Sequence, residues 1–566
     1  MLPFIYSDTR MVPAGVRAIG SAMVEAGFPK TRIVLQQWNR NFRPSAMRLD
    51  GRVPDLFMIS SMQIHGQRCQ ELIADACCIE PARRPLIIVG GPKAIYEPWD
   101  LFAPRGAPSA DVAVTGEEYV LLELLERLLD ERVPGEPLRS AFIRARDRGV
   151  LDTVHGLVYA RTDSHGAVQE LVDTGPQRLV ENLDELPDPV HGFTLLERPG
   201  RSAMLSAKAL PESQVGKHSP IAPLVLTFGC RFGCHYCPIP AYNQRCHRLK
   251  SGHRIAREMK SLHERYGLQA FFGADDNFFN DPARAVEIVE ELARTRIAGQ
   301  PLAQKILWGT EATVHDTLRM QEHFQTIRRA GLRGIWMGVE DMTATLIKKG
   351  QSRDSTVELF GRLRAAGILP MPMMMHHDSQ PLVTLKNAYG LLNQVRTLQK
   401  AGAVTMQVLM LSPAVGSRSY EEAFSSAHMV HSAGGRRVQP HMLDGNYVIA
   451  SSHARPWRKQ LNVLLAYMYF YNPLRLGLSL LRPRSPLFPA GPGAQIMGML
   501  GLLQNIRRTF GWAISLFRGT IHRNEIVPAS LFPIRRPDLA AARAVAPRPA
   551  QRYSGAASGR YPTPRP

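Results

Sequence analysis

Apolar residues along the chain fall into two long series in which short strand-like runs alternate with helix-period segments. In the first, "VPAGVRAIGSAMVEAGF" (12–28) has helical spacing and ends at Gly27. "DLFMISS" (55–61) reads as a buried strand, "HGQRCQELIADACCIE" (65–80) as a helix, and "PLIIVGGP" (85–92) as a second strand. "ADVAVTGEEYVLLELLERLLDE" (110–131) contains a third strand, a Gly-Glu turn and a strongly periodic helix. This alternation predicts an α/β, Rossmann-like doubly wound sheet with helices on both faces. Ligands of such sheets sit at the carboxyl ends of the strands, which makes Ser60, Gly90, Gly91, Gly116 and Glu117 candidate binding positions.

After "DTVHGLVYAR" (152–161) and "GAVQELVDTG" (166–175), which suggest a short hairpin, the alternation resumes at Leu224. Strands are expected in "PLVLTFG", "QAFFGADDNFF", "KILWGTEAT", "LRGIWMGVED", "LPMPMMMHHD" and "AVTMQVLMLSP". Between them come helices such as "SGHRIAREMKSLHERYG", capped by Ser251, and "DPARAVEIVEELARTRIAG", with Asp281 as N-cap and Pro282 at its first position. Six strands with helices between them predict a partial (β/α)6 barrel. Two later segments, 459–488 and 495–519, are apolar and basic together, and Pro473, Arg475, Arg507 and Arg508 interrupt them. Neither offers about 20 uninterrupted apolar residues, so neither should span a bilayer. They suit a helical cap on the barrel, or an interfacial surface touching anionic lipid.

The resulting layout is a first domain (1–138), a connector with a hairpin (139–218), a barrel (219–450), an apolar and basic helical region (451–525) and a disordered Pro/Ala/Arg tail (526–566). At 566 residues the chain is too long for one core. Its formal charge of +20 raises nucleic acid as a partner. The last 36 residues hold seven of the arginines against one aspartate and have no periodicity. The excess therefore concentrates in the tail together with the C-terminal helices, and no nucleic-acid partner is expected. The amino terminus shows no basic segment followed by an apolar core, so a cytoplasmic location is expected, with membrane association through the C-terminal region.

Three of seven cysteines cluster in "TFGCRFGCHYC" (227–237), and reduced thiols in the cytosol are available to a metal. Zinc would need a fourth ligand, for which His235, His247 or Cys246 are at hand, but the second Cys-x-x-Cys pair of a zinc ribbon is missing. Three thiolates on one loop suit a 4Fe–4S cluster with one open iron, which can chelate an amine and a carboxylate.

The spacing Cys230-x3-Cys234-x2-Cys237, with Tyr236 before the last cysteine and Pro238 after it, follows the first strand of a βα series. It resembles the radical S-adenosylmethionine (SAM) superfamily. The resemblance implies that the three cysteines hold the cluster and that SAM binds the open iron through its methionine part. One electron then cleaves the sulfur–carbon bond, and the 5′-deoxyadenosyl radical abstracts hydrogen from the substrate. It further implies that Tyr236, Gly273, Asp275, Asp276, Glu311 and Glu340 lie on the cofactor side of the barrel. The paired aspartates of "FGADDNFFND" replace the family's usual Gly-Gly-Glu and look like the cobalamin-associated branch, although paired aspartates also cap helices. "LSPAVGSRSY" (411–420) resembles the family's Pro-x-x-Gly-Thr loop with Ser417 for Thr, and His376–His377–Asp378 is a candidate substrate-facing group.

The first domain resembles the cobalamin-binding domain of many relatives, on the strength of Ser60–Ser61, "IIVGGP" and "ADVAVTGEE". The Asp-x-His-x-x-Gly motif is absent, His65–Gly66 lying near its place. The expected function is cobalamin-dependent methylation of an unactivated carbon, similar to the group of the anaerobic cyclase and the hopanoid-modifying enzymes. A small-molecule or lipid-like substrate and a one-electron reductant such as flavodoxin or ferredoxin are expected. The same chemistry without methyl transfer would give oxidative cyclisation or carbon–carbon bond formation. The non-enzymatic alternative is an iron–sulfur protein that binds nucleic acid.

Overall fold

A computed structural model describes residues 10–344, 346, 349–484 and 488–537. In the first domain β1 (Leu56–Ser60), β2 (Leu86–Gly90) and β3 (Val112–Val114) run parallel and adjacent in that order. Their side chains alternate between two cores. Leu86, Ile88, Val112 and Val114 face helices α1 (Ala14–Glu25), α3 (Glu118–Glu131) and α4 (Leu138–Asp147). Phe57, Ile59, Ile87 and Val89 face α2 (Gly66–Cys77) and the short helix Pro92–Tyr96. Helices therefore cover both faces, but the strand order runs without reversal. No switch point is therefore formed between neighbouring strands among β1, β2 and β3.

The stretch expected as a connector has no core of its own. β4 (Leu157–Thr162) and β5 (Val168–Asp173) form the expected hairpin, which extends the first sheet antiparallel to β3. Val190, Phe193, Leu195, Leu210 and Val215 pack into the barrel core instead. So do Val12, Ile33 and Leu35 from the amino-terminal end. Arg17 of α1 is fully buried; it donates to the carbonyl of Pro223 and lies 4.6 Å from the ring centroid of Phe193.

The second domain is a curled parallel sheet of β6 (Ile221–Leu224), β7 (Ala270–Gly273), β8 (Leu307–Thr313), β9 (Leu332–Glu340), β10 (Leu369–His376) and β11 (Gln407–Met410), each beside its sequence neighbour. All five pairings are parallel. The capping signals act as read: Ser251 accepts from Arg254 N at the start of α5 (Gly252–Tyr266), and Asp281 accepts from Arg284 N at the start of α6 (Pro282–Arg294). After β8 the chain forms two short helices, Val314–Arg319 and Phe324–Arg329, around a 3-10 turn, where Met320 turns fully into the core, and α7 (Arg353–Ala365) and α8 (Leu391–Ala401) follow β9 and β10.

The C-terminal region packs α9 (Trp457–Phe470) on β11 and on the long helix Ala490–Arg518. Tyr467 and Tyr471 fasten it by accepting from and donating to the backbone of Val408 and Met406. No described helix is long and apolar enough to cross a membrane. Part of the segment expected as a disordered tail is ordered: Ile534–Arg535 pairs parallel to β5 and closes the edge of the first sheet, with Arg535 bonded to Glu170 and Asp152. The tail from 538 onward lies outside the described residues.

Candidate active site

The cysteine loop leaves β6 and is held from below by β7. Both oxygens of Asp275 are taken by the chain: Oδ1 accepts from the backbone N–H groups of Leu226 and Thr227 and from Thr227 Oγ1, and Oδ2 from Thr310 Oγ1 at 2.6 Å. Burial raises its pKa to about 6. Asp276 Oδ2 accepts from Gly229 N at 2.7 Å and from Asn243 Nδ2. Asp276 Oδ1 accepts no hydrogen bond from the described residues, so of the pair it is Asp276 that can receive a ligand cation. The space above Gly273, expected to admit a ligand, is filled by Asp275 Oδ2 and Thr310.

Residues that sequence reasoning passed over complete the cradle. Asn277 Nδ2 donates to Asp316 Oδ2 at 2.7 Å and lies 3.9 Å from the Cys230 sulfur. Arg231 pairs with buried Asp316, and its N–H donates to Asn280 Oδ1. Only the fold brings these groups together; nothing in their spacing announces it.

Cys234 is buried and Cys230 and Cys237 are half-buried. Burial pushes the thiols of Cys230 and Cys237 up, the latter to about 11, and nearby Cys234 adds to both shifts. Lys349 works the other way. Its Nζ is 2.9 Å from Glu340 Oε1 and 5.9 Å from the ring centroids of Phe232 and Tyr236. Burial opposes its charge, but Glu340 and the thiols of Cys234 and Cys230 more than offset that and hold it protonated. Glu340 sits at a bulge of β9, in the left-handed region (φ 56°), which turns its carboxylate to this lysine. Buried Tyr236 lies beside Cys234 and Glu340, with its hydroxyl held neutral chiefly by burial.

This donor set fits an iron–sulfur cluster. The thiols are close enough to act on one another's ionisation, yet among the described residues no three His, Cys, Asp or Glu side chains close on a single ion. Of the candidate fourth ligands for zinc, Cys246 is exposed, with its sulfur near the Gln244 carbonyl.

Glu311 lies on β8 and is half-buried. Burial, then the carboxyls of Asp275 and Asp276, raise its pKa to about 8. The folded chain then keeps a proton that the unfolded chain releases near the ordinary carboxyl pKa, about 4.3. Stability from this group is present at low pH and is lost as pH rises toward 8. The metal-free Glu311→Gln variant is expected to melt above the unsubstituted chain at pH 8, with the gap narrowing toward pH 5. A gap that stays constant across that range would remove the protonated glutamic acid.

The histidine group at the end of β10 is structural in two of its three members. His376 is buried, with Nδ1 2.8 Å from Gln380 Oε1 and Nε2 3.1 Å from Asn462 Nδ2 of α9, and burial lowers its pKa to about 4. Asp378 accepts from Ser451 and Ser452 and pairs with Lys459 at 3.2 Å; against burial, these partners hold its pKa down to about 2. His377 Nδ1 meets Ser379 Oγ at 2.9 Å.

One cavity of about 1830 Å³ lies between the two domains, larger than the roughly 300–1,000 Å³ of an ordinary small-molecule pocket. Ser60, Gly90, Gly91 and Gly116 line it from the first domain, and Phe228, Ile239 and Tyr242 line it from either side of the cysteines. Gly91 has a left-handed backbone (φ 80°), and a β-carbon there would press on Ser60 and Ser61 at 3.0 Å. Gly116 is small for another reason, the approach of Gln177. Glu117 also lines the cavity, but its carboxylate forms a buried pair with Arg248 at the foot of the cysteine loop. Tyr96 Oη donates to Pro238 O at 3.2 Å, and Ser419 of the 411–420 loop donates to His235 O, so three segments meet at the cysteines.

Residues 224–380 match the Radical SAM superfamily. The chain is 26% identical over 255 residues to the hopanoid C-3 methylase of Methylococcus capsulatus, covering 43% of this chain and 46% of that protein. It is 24% identical over 255 residues to the anaerobic magnesium-protoporphyrin IX monomethyl ester cyclase of Rubrivivax gelatinosus, covering 45% and 38%. The match thus spans less than half the length of these relatives. Among solved structures, the radical SAM methyltransferase TsrM of Kitasatospora setae, with cobalamin and a [4Fe-4S] cluster bound, superposes with a TM-score of 0.57 at 15% identity, over 82% of this chain and 87% of that one. The cobalamin-dependent SAM radical enzyme OxsB, with aqua-cobalamin and SAM bound, gives 0.57 at 13% identity, over 98% and 82%. The barrel segment 224–380 therefore belongs to the Radical SAM superfamily, in a chain that shares its fold with two cobalamin-bound radical SAM enzymes.

Proposed function

We propose that the chain is a radical SAM enzyme that methylates an unactivated carbon, with a 4Fe–4S cluster on Cys230, Cys234 and Cys237, SAM on the barrel side and cobalamin in the interdomain cavity. The observation that carries this reading is that one cavity is bounded both by the strand ends Ser60, Gly90 and Gly116 and by residues flanking the cluster cysteines. When bound, these groups supply one-electron cleavage of SAM and a transferable methyl group. Asp276 offers its open oxygen to the SAM amine, while Asp275 keeps the loop in place. Lys349 favours the thiolate forms that ligate iron, whereas burial holds Cys230 and Cys237 protonated in the metal-free chain, so cluster loading releases protons. At Gly90 a β-carbon would meet nothing closer than Val114 O at 3.7 Å, and its absence lets a flat macrocycle approach the backbone.

A small-molecule or lipid-like substrate, a reductant such as flavodoxin or ferredoxin, and a peripheral membrane contact through residues 451–525 belong to the same reading. The name of the Rubrivivax gelatinosus relative supports a second outcome at the same site, oxidative ring closure without methyl transfer.

Reconstituted protein should contain both iron and cobalt and should form 5′-deoxyadenosine from SAM under a strong reductant. Changing Cys230, Cys234 or Cys237 singly to Ala should remove that product. Its persistence in all three variants would sink the cluster assignment. Iron without cobalt, with deoxyadenosine still formed, would leave radical chemistry standing and remove the methyl transfer.

A further inference from the structure

The C-terminal helices carry their apolar side chains outward. Let α10 be Pro473–Leu480 and α11 Ala490–Arg518. The inward face of α11 mixes small and polar residues such as Gly498, Asn505 and Thr509 with the core residues Leu502, Trp512 and Leu516. Its outward face carries Ile496, Leu500, Leu503, Phe510, Ile514 and Phe517, with Leu503, Phe510 and Phe517 exposed by 60%, 59% and 59%. These positions recur four and three residues apart, a continuous helical stripe in which Arg507 holds the one polar place. α10 buries no residue at all, and Leu474 and Leu481 are 74% and 79% exposed. An amphipathic helix on a water-facing surface turns its apolar stripe to the core and keeps its outer face polar. α11 is apolar on its outer face as well as at Leu502, Trp512 and Leu516 within, which suits an outer face that meets lipid and not water. At Gly498 the inward packing is so close that a β-carbon would overlap the ring of Tyr471.

Charge identifies the partner. From Gly445 to Asn524 the sequence has no Asp or Glu, against nine Arg and one Lys. Arg508 pairs with Asp444 at 3.0 Å, whereas exposed Arg482, Arg484, Arg507 and Arg518 pair with no carboxylate among the described residues. A second copy docking through a twofold axis would set this basic surface against itself. An anionic surface complements it, and no described helix can cross a bilayer.

We infer that α10 and α11 form a face that lies in the plane of an anionic membrane, with the leucine and phenylalanine stripe at the acyl boundary and the arginines at lipid phosphates. This deepens the membrane contact included in the proposed function and requires none of its radical chemistry.

The test is flotation of the full-length protein with vesicles of phosphatidylcholine containing one quarter phosphatidylglycerol, and with pure phosphatidylcholine. Binding to the anionic vesicles should be at least about tenfold stronger, and high salt should weaken it. L503Q/F510Q/F517Q should abolish flotation, and R482E/R484E should reduce it about tenfold. Leu503, Phe510 and the two arginines face solvent, and Phe517 gives up only an edge contact with Trp457 at 5.1 Å, so circular dichroism should be unchanged and melting nearly so, which separates lost binding from lost folding. Absence of vesicle binding, equal binding to both compositions, or undiminished binding of the triple variant would each overturn the inference. So would light scattering that shows a dimer dissociated by the same substitutions. Deoxyadenosine formation, assayed without vesicles, should be the same in these variants and in the unsubstituted chain, so its failure speaks only to the proposed function.

Discussion

Gly229→Ala is expected to abolish cluster assembly although it changes no ligand. Gly229 directly precedes Cys230 and has φ 87°, a conformation that costs an L-residue about 1–2 kcal/mol. A β-carbon there would overlap the carbonyl oxygen of Cys246 outright and lie 3.0 Å from its carbonyl carbon. Both belong to backbone, so no side chain can turn aside to make room. The loop must shift, and with it the N–H of Gly229 that donates to Asp276 at 2.7 Å and the neighbouring Cys230. Iron bound after reconstitution should fall at least about tenfold, the effect of roughly 1.4 kcal/mol. Gly233→Ala provides the control within the same loop: its φ is not left-handed and nothing lies within 4 Å of a β-carbon there. It should load iron normally. Equal iron content in the two variants would mean that the loop adapts freely and that Gly229 is dispensable.

Glu117→Ala should unfold the join between the two domains. Side chains of Glu117 and Arg248 are 2% and 6% exposed, and Arg248 Nη1 donates to Glu117 Oε2 at 3.1 Å and to Val180 O at 2.9 Å. Burial works against the Arg248 charge, and Glu117 more than offsets it, so its pKa lies above the usual arginine value. Removing one partner leaves an uncompensated buried charge, which typically costs about 3–5 kcal/mol. Denaturant titration should show a lowered midpoint for Glu117→Ala. The double variant Glu117→Ala/Arg248→Met should recover part of the loss, because it removes the stranded charge as well. A single-variant midpoint within error of the unsubstituted chain would show that the pair holds nothing together. Because Arg248 also stacks 5.3 Å from the ring centroid of Phe228, a cavity-lining residue, the same substitution should weaken corrinoid retention.

These two cases show where sequence reading succeeds and where it stops. Glu117 was legible as a residue at a strand end, but the sequence offers no way to know that its partner stands 131 positions later. Gly229 was legible only as the letter before a cysteine. The aspartate pair was legible as a pair; which of the two is free depends on Thr310 and on the backbone of residues 226 and 227, which only folding brings to Asp275. Glu340 was legible as a carboxylate at a strand end, but the bulge that aims it at Lys349 is a property of the pairing of β9 with β10.

By itself the sequence determined the alternation of strands and helices, the helix caps at Ser251 and Asp281, the order of six barrel strands and the three-cysteine spacing. Each of these depends on neighbours within a few residues, and periodicity and local hydrogen bonding suffice to set them. Tertiary structure alone decided the rest. It split the expected connector between two cores, drew Ile534–Arg535 onto the first sheet, and formed a cavity lined by both Gly90 and Phe228. It also turned the apolar stripe of the last long helix outward. Periodicity marks that a helix has two faces, but which one is buried is settled by what packs against it, and here Gly498 admits the ring of Tyr471 more closely than a leucine could.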